Sequence, residues 1–118
     1  MSEWPILDPQ PLRDLLDMGA EGELVQELIA LFQEDVPPRM QALREGLASG
    51  NLQALLMESH QMKGALSNLG LVRFAEMAGR IEIEARAGNL EEAPALIASL
   101  PAAYDEALQA LQQAFPAA

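Results

Sequence analysis

His60 and Lys63 are the only histidine and the only lysine of a 118-residue chain, and they stand together in ESHQMKGALSNLG, residues 58 to 70. Gly64 follows the lysine directly. An imidazole near its reference pKa of about 6.5 is mostly neutral at cellular pH and offers a nucleophilic ring nitrogen. A phosphoryl group taken up by that nitrogen brings negative charge, which an ammonium at i+3 of the same helix stabilises. A residue without a side chain at i+4 leaves the approach open to a bulky donor. Glycine inside a helix costs about 1 kcal/mol relative to alanine, so the position asks for a reason. Ser67, one turn further along, brings a hydroxyl to the same strip. The spacing fits a phosphoryl acceptor. It also fits a plain surface histidine beside a solvated charge and a packing glycine, so spacing alone leaves both open.

Other chemistry fits less well. A hydrolase or isomerase using His60 as general base needs a pocket and a partner acid or nucleophile, whereas a helix offers an open strip. One histidine, no cysteine and scattered carboxylates do not make a metal-ligand cluster.

The helix that carries the strip spans about 52 to 69, with Asn51 as N-cap and Gly70 in the left-handed position that ends it. At about 100° per residue, Leu52, Leu55, Leu56, Ser59, Met62, Leu66 and Leu69 form its core face. His60, Gly64, Ser67 and Asn68 lie on the flank and outside, with Met57 and Gln61 as neighbours. Lys63 falls near the boundary, where its stem runs over apolar surface while the ammonium reaches water.

The remaining segments are also helical in period. A short helix fits 8 to 18, capped by Asp8, with Leu12, Leu15 and Leu16 on one face. A second fits 22 to 35 through Leu24, Val25, Leu28, Leu31 and Phe32, and Pro37-Pro38 is expected to interrupt it. A third covers 38 to 48 with Met40, Leu43 and Leu47. After the His60 helix comes one over 72 to 87, lined by Phe74, Met77, Ala78, Ile81 and Ala85, with Gly79 read as a close helix–helix contact and Gly88-Asn89 as its end. A last region, 90 to 115, presents Leu96, Leu100, Tyr104, Leu108, Leu111 and Phe115, with Pro101 expected to kink or split it. Short connections between amphipathic helices make neighbours antiparallel. The expected fold is all-α: an antiparallel up-and-down four-helix bundle with one or two short extra N-terminal helices, in a single domain over 1–118 with an arm at 1–7.

Composition agrees. The apolar half of the chain is mostly alanine and leucine, which favours helix because unbranched side chains lose little rotamer freedom. Eighteen acidic against seven basic residues give a net charge of −11, a surface that repels nucleic acid and anionic membranes. MSEWPILDP lacks the basic and apolar segments of a secretory signal, and no stretch approaches the ~20 apolar residues of a membrane span. A cytoplasmic protein is expected, and its initial methionine and compact length favour a freestanding one.

His60-Gln61-Met62-Lys63-Gly64-Ala65, with Gly70 ten positions after the histidine, resembles the signature of histidine-containing phosphotransfer (HPt) domains. LDPQPLRDL, ELIALFQEDVPPRMQAL and FAEMAGRIEIEARAGN resemble the flanking helices of that family, so the resemblance covers nearly the whole chain. It implies a phosphorelay intermediate in which His60, through Nε2, accepts a phosphoryl group from an aspartyl phosphate on a response-regulator receiver domain and passes it to another. A hybrid sensor histidine kinase is implied upstream. Lys63 would steady the phosphate, Gly64 would give clearance, and Arg86 matches a position where some members carry a basic residue near the site. Glu82 stands where some members carry glutamine, a departure that bears on any hydrogen bond from that side chain to the imidazole. Ala65 replaces a serine found in many members. Phosphoryl transfer depends on alignment and charge neutralisation. The domain would supply an aligned nucleophile and no cofactor of its own, the receiver bringing Mg2+ and the aspartate. Met57, Gln61 and Asn68, with Leu12 and Leu16 from the first helix, are candidates for partner binding to a monomeric carrier. The alternative is an adaptor that docks a receiver or kinase domain without being phosphorylated.

Overall fold

The computed structural model describes residues 3–117, and among these every regular element is a helix: α1 (Gln10–Asp17), α2 (Gly22–Ser49), α3 (Leu52–Asn68), α4 (Val72–Ala87) and α5 (Ala93–Ala114). The all-helical expectation holds, with one short N-terminal helix. The four long helices meet in a ring, α3 packing on α2 and α4, and α5 on the same two. Phe32 of α2 sits at the centre, edge-on to Phe74 of α4 at 6.4 Å and stacked on Tyr104 of α5 at 5.0 Å. Among the described residues no helix is long and apolar enough to cross a membrane.

Two expected breaks are absent. Segments 22 to 35 and 38 to 48 are one helix of 28 residues running through Pro37 and Pro38. Its buried stripe, Val25, Ile29, Phe32, Val36, Met40 and Leu43, continues in step on both sides of the prolines. Packing along that stripe outweighs the ~3 kcal/mol or more that an interior proline costs. Pro38 is exposed and Pro37 half-buried, and the carbonyls they leave without amides belong to exposed Gln33 and Glu34. Pro101 likewise lies exposed inside α5, which neither splits nor begins before Ala93. On α2 the true stripe includes Ile29, while Leu24 and Leu31 face water.

α1 starts at Gln10, not at Asp8. Pro9 already has helical backbone angles, and the Asp8 carboxylate accepts the Gln10 amide at 3.0 Å from one position further out. The Asp8 amide is committed elsewhere, donating to the Gly70 carbonyl at 2.7 Å. The Arg73 amide bonds the Pro5 carbonyl at 3.0 Å, and Arg73 Nε the Trp4 carbonyl at 3.0 Å. The segment before α1 is thereby strapped across the α3–α4 turn. Gly70 makes that strap fit: its φ is +77°, and a Cβ there would collide with the Asp8 carbonyl. Of the expected arm at 1–7, residues 1 and 2 lie outside the described ones.

Candidate functional site

α3 is fixed at both ends as the sequence demands. Asn51 Oδ1 accepts the Ala54 amide at 3.1 Å, and Gly70 turns the chain into α4. Leu55, Met62 and Leu66 are fully buried, and they set the rotation of the helix. Ser59 is also buried, its hydroxyl donating to the Leu55 carbonyl at 2.6 Å, so the residue before the histidine points inward. His60 therefore points out. Its side chain is 65% exposed.

One ring nitrogen is nonetheless held. His60 Nδ1 lies 2.8 Å from Oε2 of Glu82 on α4, a side chain only 9% exposed. Arg86 Nη2 donates to the same oxygen at 2.8 Å. Burial pushes the Glu82 carboxyl up, but the hydrogen bonds from His60 and Arg86, with the charges of His60 and Lys63, outweigh it and leave the group below its ordinary value. An ionised carboxylate only accepts, so the imidazole is the donor and its proton resides on Nδ1. A hydrogen bond between residue 82 and the ring is therefore present with glutamate in that place. Nε2 keeps its lone pair, on the side of the ring away from Glu82.

Lys63 leans toward α4. A Cβ at Gly79 would meet its Cδ, Cε and Nζ at 3.5, 3.6 and 3.8 Å, so Gly79 makes room for this stem. The close contact expected at Gly79 is with one side chain of α3. Among the described residues no carboxylate is ion-paired with the Lys63 ammonium, in contrast to Arg39, Arg73, Arg80 and Arg86. At Gly64 an added Cβ would find nothing within 4 Å. The clearance is real.

The remaining candidates divide. Gln61, Gly64 and Asn68 border one groove with His60, closed on its far side by Asp35 and Arg39 of α2. Ser67 instead shares a hollow with Lys63 and Trp4 near the α3–α4 turn. Met57 is exposed on the outer side of α3. Leu12 is contradicted as a docking residue: it is fully buried, because it is the apolar anchor by which the short α1 holds to the core. Leu16 is half-buried and packed against the same core. Asp35 and Arg39 were missed. They stand at i and i+4 beside the proline pair, and reading that pair as a break hid the groove wall they form.

A family model described as the Hpt domain matches residues 27–114. The chain is similar to the crystal structure of histidine-containing phosphotransfer protein B (HptB) from Pseudomonas aeruginosa PAO1, with 33% identity and a TM-score of 0.83 over 92% of this chain and 93% of that one. No curated protein matches.

Proposed function

Because this chain belongs to the Hpt domain family and is a phosphorelay intermediate, we propose that His60 is its phosphoryl acceptor, reacting through Nε2. The observation that carries this is the pairing of an exposed ring with a buried carboxylate at Nδ1, 2.8 Å apart. A neutral imidazole has two tautomers, and only the one with its proton on Nδ1 presents a nucleophilic Nε2 to solvent. Glu82 selects that tautomer and fixes the ring's orientation. Lys63, its charge unpaired by any carboxylate among the described residues, meets the incoming phosphoryl oxygens, and Gly64 leaves their path clear.

The donor is an aspartyl phosphate on a receiver domain, and a second receiver takes the group onward, with a hybrid sensor histidine kinase upstream. Mg2+ and the reacting aspartate belong to the receiver, and this domain works as a phosphocarrier without an ATP or metal site of its own. Docking uses the groove beside His60, with Gln61 and Asn68 on α3 and Asp35 and Arg39 on α2. Met57 extends it outward and half-buried Leu16 is at most peripheral. Ser67 and Arg86 support Lys63 and Glu82. We read residues 1–118 as one domain whose long helices run up and down as an antiparallel bundle, supported by short connections and the ring of helix contacts. The acidic surface supports a cytoplasmic monomer that binds neither nucleic acid nor membrane.

Incubation with a phosphorylated receiver tests the assignment. Acid-labile, base-stable label should appear on the chain and vanish in His60→Gln. Full labelling of that variant would refute it.

A further inference from the structure

We propose that Glu82 keeps the Nδ1 proton on the His60 ring through the whole phosphoryl cycle, so that the loaded carrier discharges at a rate nearly independent of pH across the neutral range. This deepens the acceptor assignment above and rests on it.

The electron count makes the proton important. In loading, the Nε2 lone pair attacks the phosphorus of the aspartyl phosphate. The Nε2–P bond forms, the P–O bond to the aspartate breaks, and its electron pair stays on the carboxylate. With the Nδ1 proton retained, the ring is a phosphoimidazolium carrying one positive charge. In discharge, a carboxylate oxygen of the next receiver attacks phosphorus and the Nε2–P bond breaks. Its electron pair returns to Nε2, and the ring leaves as neutral imidazole. No proton enters or departs in either step. A ring that had lost its Nδ1 proton in between would have to leave as imidazolate, a far worse leaving group. An unassisted phosphoimidazole therefore becomes a poorer donor as pH rises through its own pKa.

The geometry guards against that loss. The carboxylate oxygen is 2.8 Å from Nδ1 and largely shielded from water, where its attraction for a cationic ring is strong. Arg86 donates to the same oxygen, also at 2.8 Å, and stabilises its negative charge. From α3, Lys63 adds a positive charge that opposes the cationic ring and favours the phosphoryl group. From α2, Asp35 and Arg39 border the groove on the other side, and Arg39 is tied to Glu58 of α3 at 2.9 Å. Among the described residues no charged group of α5 bonds either His60 or Glu82. Among the described residues, Glu82 is the one carboxylate hydrogen-bonded to the ring. It is a positioning residue for the proton.

The test loads the full chain with phosphoramidate and follows discharge to one receiver from about pH 6 to about pH 9. Rates are taken as the ratio of variant to wild type, which cancels the receiver's own pH dependence. For Glu82→Gln the ratio should fall with rising pH, approaching about tenfold per unit above the ring's pKa. For Arg86→Gln, which leaves the carboxylate in place and more basic, the ratio should stay level. A purely structural role for the network would move both variants alike. Nitrogen NMR of the loaded wild-type ring, the only imidazole in the chain, gives a readout that needs no variant. Its Nδ1 should stay protonated to higher pH than in a phosphohistidine peptide. A pH-independent ratio for Glu82→Gln, or a ring titrating like the peptide, overturns this inference alone. Absence of any imidazole label on the wild type overturns the acceptor assignment and this inference with it.

Discussion

α4 has two seams, one against α3 and one against α5, and each holds a carboxylate below its ordinary pKa. On the first, burial of Glu82 is outweighed by the imidazole, the guanidinium and the nearby ammonium. On the second, Glu84, two residues on, accepts the Glu92 amide at 2.9 and 2.8 Å and the Ala93 amide at 2.8 Å. The Glu92 amide is the main cause of the Glu84 shift. Glu84 thus caps the first turn of α5 from another helix, filling donors that the start of a helix leaves open. The two groups shift the same way and do different work. A depressed carboxyl pKa reports a filled set of donors, and the donor's identity decides whether chemistry follows. Backbone amides hold a helix; an imidazole with its other nitrogen in water can react.

The largest expected effect separates the seams outright. His60→Gln should remove phosphoryl acceptance to background while moving Tm by less than about 3 °C, since an exposed side chain is replaced by another donor. Glu84→Gln should do the reverse, lowering Tm at neutral pH with transfer rates unchanged. The pH sign of that stability difference follows from the direction of the shift. The Glu84 carboxyl is lowered in the fold, so its contribution is complete above the unfolded value of 4.5 and is lost as pH falls through the folded value. The Tm gap between wild type and Glu84→Gln should therefore close in acid, as thermal melts over a pH series would show. A gap that persisted in acid would break the comparison.

Next in size is Lys63→Ala, expected to slow transfer about tenfold through loss of one charge-assisted contact to the phosphoryl oxygens. Gly79→Leu should reproduce that loss by displacing the lysine stem, whereas Gly79→Ala should not, because its Cβ meets Lys63 at an ordinary 3.5 Å. Rapid-quench transfer assays on the three variants sharpen the reading of the α3–α4 seam. The smallest effect belongs to the α4–α5 side. A double-mutant cycle on Arg73 and Glu106, paired at 2.9 Å and partly exposed, should return less than about 1 kcal/mol in denaturant melts.

Local signals were legible in the sequence. Asn51, Gly70 and Gly88 end or begin helices where expected, and the outward face of His60, Gly64 and Asn68 follows from helical period alone. What failed involves partners distant along the chain. Glu82 reaches His60 across 22 residues, and periodicity carries no information about which side chains meet between two helices. Pro37 and Pro38 are strong local breakers, yet the buried stripe on either side overrules them. On α2, a stripe started at Leu24 is rotated slightly, so that it leaves out the buried Ile29 and takes in the exposed Leu31. Gly79 is legible in the sequence as an intimate contact, but its purpose depends on the Lys63 stem that lies over it from α3.

The proline pair has one further effect. Two successive rungs of the α2 ladder are missing on its outer side, at the level of Asp35 and Arg39, while the inner side stays fully packed. An interior proline leaves the ladder open on its own side, which is where helices bend when they bend. The wall of the groove next to His60 is thus a stretch of α2 short of two backbone hydrogen bonds, while α3, which carries the imidazole and has no proline, keeps its ladder whole.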